Sequence, residues 1–267
     1  MRILDGRVAV VTGAASGIGR ETARLLARKG CTLALADVNE VGLAETKRLI
    51  ESSGGAATTH VVDVASRERM KAFADDVIAA HAHVHVLVNN AGVSVVSTLE
   101  QHDLDDFEWL IGINFWGVVH GCKFFLPHLK REAEAHVVNI SSLFGLIGLP
   151  TQSAYCASKF AVRGFTESLH AELHGTGVGV TCVHPGGINT DIIKNARMTD
   201  EIPRAKLVRF FERKTMPADR AASLIVRAIE KNDRRLLIAK ETYVLDAMKR
   251  LFPVLTNELA ARRRRPV

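Results

Sequence analysis

The chain has 267 residues, 47% of them hydrophobic, and a formal net charge of +6. That length and apolar content suit one α/β unit with a sizeable core, and they exclude a disordered or low-complexity chain. Cys31, Cys122, Cys156 and Cys182 stand far apart inside apolar stretches, without metal-type spacing or a disulfide framework, so a reducing, cytoplasmic setting is expected.

Arg262 to Arg265 supply four of the positive charges, so the rest of the chain is near neutral and offers no nucleic-acid footprint. The N-terminus, Met1 to Gly6, runs into a strand with no room for a signal segment. No uninterrupted apolar run approaches the roughly 18 residues of a membrane-spanning helix.

In chain order, Val8-Ala9-Val10-Val11 is a short apolar run of the kind that forms a buried parallel strand. It leads through Thr12-Gly13-Ala14-Ala15-Ser16-Gly17-Ile18-Gly19 into a helical pattern at Ala23, Leu25, Leu26 and Ala27, which Lys29-Gly30 stops. A glycine turn between a strand and a helix N-terminus makes an anion site, because free N–H groups and the helix dipole converge there. A second strand, Thr32 to Ala36, ends at Asp37, eighteen residues past Gly19. An acidic residue at about that offset meets the adenosine ribose in dinucleotide folds.

Alternation continues. The pattern predicts helices at 40–53, 67–80, 104–131, 153–174 and 217–231, and strands at 57–62, 84–89, 136–141, 178–183 and 235–239. Such βα alternation implies one doubly wound parallel sheet of about seven strands with helices on both faces. Ligands bind such sheets beyond the carboxyl ends of the strands. Asp63, Asn89-Asn90-Ala91-Gly92, Ser141-Ser142 and His184-Pro185-Gly186 occupy those ends. The expected organisation is a single domain over 1–255, followed by a disordered basic tail from 256.

Tyr155-Cys156-Ala157-Ser158-Lys159 places a phenol and an ammonium four apart, roughly 6 Å along one face of a helix. A fixed cation favours the phenolate and lowers the tyrosine pKa, which is near 10 in isolation. Reaching about 7 takes roughly 4 kcal/mol, from the lysine together with a cationic cofactor ring. The pair would then act as a proton-exchanging device.

Thr12-Gly13-x-x-x-Gly17-x-Gly19, Asn89-Asn90-Ala91-Gly92, Ser142, Tyr155-x-x-x-Lys159 and Pro185-Gly186 stand in the order and spacing of the short-chain dehydrogenase/reductase family, which the chain resembles over about 5–240. The resemblance implies a nicotinamide dinucleotide cofactor and a tetrad of Asn114, Ser142, Tyr155 and Lys159. In it Tyr155 is the general acid/base, and Lys159 lowers its pKa and holds the nicotinamide ribose. Ser142, thirteen residues before Tyr155, hydrogen-bonds the reacting oxygen, while Asn114 anchors a water relay to the lysine. The cofactor set it implies is Gly13, Ser16, Gly17, Ile18, Gly19, Asp37, Asp63, Val64, Asn90, Ala91, Gly92, Pro185, Gly186, Ile188 and Thr190, with Tyr155 and Lys159. Ser94, Val95, Phe144, Gln152 and Gly187 would face the substrate. No metal is expected.

Phosphate-preferring members carry a basic residue where this chain has Ser16 and Val38, and a 2′-phosphate would face the Asp37 carboxylate, so NAD is expected over NADP. Arg20 reads as a solvated helix residue. Residues 191–215 resemble the family's substrate lid and mix Ile192, Ile193, Met198, Ile202, Leu207, Phe210 and Phe211 with basic side chains. An apolar lid face suggests a lipophilic secondary alcohol or ketone, of fatty, terpenoid or steroid type; packing of the lid on the body explains the same residues equally well. The family is commonly tetrameric or dimeric, so a homo-oligomer without stable membrane insertion is expected. An NADP-dependent carbonyl reductase, a non-catalytic NAD-sensing protein, and a basic-tailed nucleic-acid or membrane-associated protein are the competing readings. His170 and His174 resemble a zinc-protease helix but lack its order and a third ligand, so they read as an exposed face. His81, His83 and His85 read as a solvated loop.

Overall fold

The computed structural model describes residues 1, 3–199, 205 and 215–262. The chain runs β1 (Val8–Thr12), α1 (Gly17–Arg28), β2 (Thr32–Asp37), α2 (Glu40–Glu51), β3 (Ala56–Val61), α3 (Arg67–His81), β4 (Val86–Asn89) and β5 (Val95–Val96). Next come α4 (Leu104–Ile111), a π-helical turn (Gly112–Trp116), α5 (Gly117–Leu129), β6 (Ala135–Ile140) and α6 (Ser153–Glu172). The described remainder is β7 (Val178–Pro185), β8 (Ile188–Asn189), β9 (Arg197–Met198), β10 (Met216–Pro217), α7 (Ala218–Lys231), β11 (Arg235–Ile238), α8 (Lys240–Leu251) and α9 (Pro253–Arg262).

Seven strands form one parallel sheet in the order β11-β7-β6-β4-β1-β2-β3. Strand side chains alternate between faces, and both faces are covered. Ala9, Val11, Leu33 and Leu35 pack on one side with Leu26, Leu43 and Ile225 from α1, α2 and α7. Val10, Ala34, Leu87 and Val137 pack on the other with Phe73, Phe125 and Val162 from α3, α5 and α6. Chain order reverses between β1 and β4, so their carboxyl ends open a crevice at the switch point.

The expected fold class holds, and the corrections are local. The helix expected over 104–131 is three segments ending at Leu129, with the π turn in the middle. Leu104–Leu129 is apolar and long enough to cross a membrane by composition, yet Leu110, Asn114, Val118, Cys122, Phe125 and Leu129 are buried within the fold. Where a disordered tail is expected from 256, α9 runs through Arg262; residues 263–267 lie outside the described residues. The helices α8 and α9 follow β11 without a sequence expectation.

The histidine loop is also corrected. His85 is buried; its Nδ1 accepts from the Val8 amide at 3.1 Å and its Nε2 lies 3.2 Å from Glu132. His83 Nδ1 lies 2.8 Å from the same carboxylate, and His81 Nε2 lies 3.2 Å from the Thr58 hydroxyl. A buried β4 entrance leaves the Val8 N–H without water, and His85 satisfies it. All four cysteines are free and buried, and burial pushes the thiols of Cys31, Cys122 and Cys182 up to about 12. Among the described residues no three His, Cys, Asp or Glu side chains are grouped to hold a metal.

Candidate active site

The crevice is floored by the glycine turn. Gly13 and Gly17 adopt φ of 65° and 53°. A Cβ on Gly19 would stand 2.1 Å from the Gly13 carbonyl oxygen, so that position excludes any other residue. Ser16 takes the N-cap position of α1 but makes no side-chain cap bond, and the first turn has no acidic residue. By contrast, Asn39, Ser66 and Asp103 cap α2, α3 and α4. The first amides of α1 therefore keep their donors for an anion at the crevice.

Side chains from neighbouring strand ends hold this turn. The Thr12 hydroxyl accepts from the amides of Asn90 (3.0 Å) and Ala91 (3.1 Å). Asn90 donates both amide hydrogens to the carbonyls of Thr12 (3.0 Å) and Gly13 (3.1 Å), so its side chain ties β4 to β1. Asp37, half-buried at the end of β2, accepts from the amides of Ala15 and Asn39, one on each oxygen, both at 3.0 Å. Two backbone donors fix the carboxylate and leave each oxygen further acceptor capacity. Asp63 accepts from the Ala65 amide at 2.9 Å and is exposed, with Val64 buried behind it.

Arg20 is not a solvated helix residue. Its Nε donates to the Thr46 hydroxyl at 3.0 Å, and its Nη2 reaches the carbonyls of Ala15 and Gly42. The charge is spent on joining α1, the turn and α2.

Asn114 comes from the π turn. Inserting one residue per turn rotates a side chain inward that α-helical periodicity would place elsewhere, and such bulges recur at functional sites. Asn114 is fully buried; Oδ1 accepts from the Val93 amide at 2.8 Å, while Nδ2 donates to the Val93 carbonyl (3.0 Å) and the Ser158 hydroxyl (3.2 Å). Gly92 separates it from Lys159: a Cβ there would lie 3.2 Å from Asn114 Oδ1 and 3.5 Å from Lys159 Nζ.

Tyr155 and Lys159 stand on α6, with Nζ 5.8 Å from the phenol ring centroid. Lys159 is 3% exposed, donates to the Ile140 carbonyl at 3.0 Å, and is held down to about 8 by burial. The protein alone raises the Tyr155 phenol. Its ring is half-buried, yet protein crowds the hydroxyl and desolvation pushes the pKa up to about 12, against a hydrogen bond from Ser142 that lowers it. Loss of hydration outweighs the Ser142 hydrogen bond.

Ser142 caps a short 3₁₀ turn (Leu143–Gly145), its hydroxyl accepting from the Phe144 amide at 3.1 Å. Two supports went unforeseen. His184 is fully buried, lies 3.1 Å from the Ser142 carbonyl through Nδ1, and is held down to about 4 by desolvation, so it braces Ser142 as a neutral imidazole. Ser141 donates to the Lys159 carbonyl at 2.8 Å, joining β6 to α6. Both residues sit at marked strand ends, the only sequence signal they carry.

The remaining expected residues scatter around the opening. Phe144 meets Tyr155 edge-on, with ring centroids 6.0 Å apart. Ser94 and Val95 are buried, and β5 pairs with β9, so their backbone anchors the start of the lid segment. Arg197 of that segment lies over the Trp109 ring at 3.7 Å and pairs with Asp106. Gln152 is buried just before α6. Pro185 ends β7, the Gly186 amide bonds the Ile238 carbonyl, and Gly187 bonds Glu241 and Met216. Ile188 is buried, and Thr190 approaches Gly17, whose Cβ would lie 3.1 Å from its methyl. Ile202, Leu207, Phe210 and Phe211 lie outside the described residues.

The sequence profile of the short chain dehydrogenases matches residues 7–201. The chain belongs to this family. It is 44% identical over 267 residues to SadH of Mycobacterium tuberculosis, named an oxidoreductase, covering 98% of this chain and 96% of that one. A crystal structure of a short-chain dehydrogenase/reductase from Burkholderia phymatum in complex with NAD superposes with a TM-score of 0.90 at 31% identity, covering 100% and 99% of the two chains. A metagenomic short-chain oxidoreductase in complex with NADP gives a TM-score of 0.74 at 30% identity, covering 88% and 97%. This short-chain dehydrogenase is an NAD(P)-dependent oxidoreductase acting on small molecules. The crevice fits such a cofactor: the uncapped α1 amides suit its pyrophosphate and the half-buried Asp37 at the end of β2 suits its adenosine half.

Proposed function

We propose that this short-chain dehydrogenase interconverts a lipophilic secondary alcohol and its ketone, with NAD preferred over NADP. One observation carries the reading: Asn114, Ser142 and the Tyr155–Lys159 pair, distant in sequence, converge beside an uncapped glycine turn. The nicotinamide, when bound, supplies or accepts the hydride. Tyr155 exchanges a proton with the substrate oxygen, and Ser142 donates a hydrogen bond to it as charge develops. Because burial holds the phenol protonated, its ionisation draws on positive charge that arrives with the oxidised cofactor and adds to Lys159. Lys159, through its contact with Ile140 and its nearness to Asn114, joins the phenol to the polar interior.

Asp37 supports the NAD preference. Its carboxylate would accept from the ribose hydroxyls and repel a 2′-phosphate, while Ser16 and Val38 bring no cation and Arg20 is occupied. The Phe144 ring, edge-on to Tyr155 and backed by the apolar cluster of Leu143, Leu146 and Ile147, supports a lipophilic substrate. A non-catalytic sensor would have no use for an intact tetrad. Buried free thiols support a reducing, cytoplasmic setting, and a homodimer or homotetramer is the expected assembly. Purified protein assayed by NADH absorbance against secondary alcohols and ketones tests the reading: turnover of apolar substrates with NAD is expected, and turnover confined to small charged acids would reject it.

A further inference from the structure

Among the described residues, fifteen large apolar side chains are exposed, and seven of them lie between Tyr243 and Leu259. The hairpin of α8 and α9 is amphipathic in the wrong sense for water. It buries Thr242, Asp246 and Thr256, and turns outward Tyr243, Val244, Leu251, Phe252, Val254, Leu255 and Leu259. Asp246 faces inward because Arg235 from β11 pairs with it. Outside, Tyr243, Val244, Ala247 and Leu251 recur at helical spacing along one side of α8, and Leu255 and Leu259 follow one turn apart on α9. Exposed apolar groups gathered this way mark an interaction surface, not scattered surface residues.

Charge identifies the partner. From Lys240 to the C-terminus the sequence carries Lys240, Lys249, Arg250 and Arg262 to Arg265 against Glu241, Asp246 and Glu258, a net +4 of the chain's +6, with the excess gathered at the end of α9. Arg250, although paired with Asp246, keeps 62% of its side chain exposed. A second copy docking by twofold symmetry would bring these cations together, whereas an anionic headgroup layer neutralises them and accepts the apolar side chains beneath it. We propose that the α8–α9 hairpin with its basic end is a docking surface for an anionic lipid bilayer. The chain lies on the membrane without spanning it. On its inward side α8 also presents Leu245 to the cluster of Leu143, Leu146 and Ile147, so the docked face adjoins the apolar wall beside Ser142.

The full chain is sedimented with vesicles of phosphatidylcholine alone and of phosphatidylcholine with roughly one-third phosphatidylglycerol. Binding to the anionic vesicles is expected to exceed binding to the neutral ones by at least about tenfold and to fall as salt rises, since each basic residue near such a surface strengthens adsorption roughly fivefold. Leu251→Ser with Leu255→Ser, and separately Arg262 to Arg265→Gln, should each weaken adsorption by about tenfold or more, while the melting temperature and NADH turnover stay at wild-type values. Failure to sediment with anionic vesicles, equal binding to both compositions, or adsorption that ignores the leucine variants would overturn the proposal. So would a tight dimer in size-exclusion chromatography that the leucine variants dissolve, because a second copy would then cover the face.

Discussion

The two sides of the crevice are built differently. The dinucleotide side is held by backbone groups and short polar side chains: Thr12, Asn90 and Asp37 each bond main-chain atoms of the turn or its neighbours at 3.0–3.1 Å. The side proposed for the substrate is held by apolar contact among Leu143, Leu146, Ile147 and Phe144, and by the β5–β9 pairing. Backbone bonding demands particular residues at particular places, whereas apolar contact asks only for volume. The first side is therefore fixed in chemistry, and the second is free to change substrate.

The largest effect expected separates proton transfer from cofactor binding. Tyr155→Phe should lower kcat by about 10²–10⁴-fold while the dissociation constant for NAD, followed by fluorescence, changes little. Retention of more than about a tenth of wild-type turnover would show that another group carries the proton. The same variant isolates the phenol spectroscopically. In the cofactor-free protein, the wild-type minus Tyr155→Phe difference spectrum should show no phenolate at about pH 10, where a free tyrosine is half ionised. Burial raises this pKa, so the neutral form persists to higher pH; saturating NAD should bring the phenolate signal to lower pH.

Gly19→Ala strikes the other side alone. Its Cβ would collide with the Gly13 carbonyl at 2.1 Å, so NAD binding should weaken by at least about tenfold, or the melting temperature should fall by several degrees, read by calorimetry with and without NAD. Wild-type affinity together with wild-type melting would mean that the turn yields more easily than its packing implies.

Cofactor choice is a finer cut within the dinucleotide side. Loss of one charge-assisted ribose bond is worth about 1.5–3 kcal/mol, so kcat/KM should favour NAD over NADP by at least about tenfold. Asp37→Ala with Val38→Arg should reverse the preference. Equal use of both cofactors by the wild type would place Asp37 away from the ribose.

The smallest effect belongs to the apolar side. Each added buried CH₂ in a homologous alcohol series should raise kcat/KM by up to about 0.8 kcal/mol, roughly fourfold. A flat series would mean that Phe144 and its neighbours pack the lid and do not touch substrate.

Legibility followed the same division. The glycine turn, Asp37, Ser142 and the Tyr155–Lys159 pair were visible in sequence because each needs one residue type at one spacing. Asn114 was named by resemblance, but its π turn was not, since an extra residue in a helix leaves no trace in the 3.6-residue period. Arg20 and His85 were misread as solvated, because a charge or imidazole in sequence gives no sign of the buried partners that await it. The helices α8 and α9 escaped notice for a related reason: they bury threonines and an ion-paired aspartate and expose leucines, the reverse of the pattern that marks a surface helix.

By itself the sequence determined the alternating elements, the parallel sheet and the identity of the residues at the strand ends, because local periodicity and backbone demands are written residue by residue. Tertiary structure alone decided which strand ends meet at the switch point, that His184 stands behind Ser142, and that the free phenol is driven up to about 12 and not down. Those outcomes depend on desolvation and on partners distant in the chain, and both exist only once the sheet has closed around them.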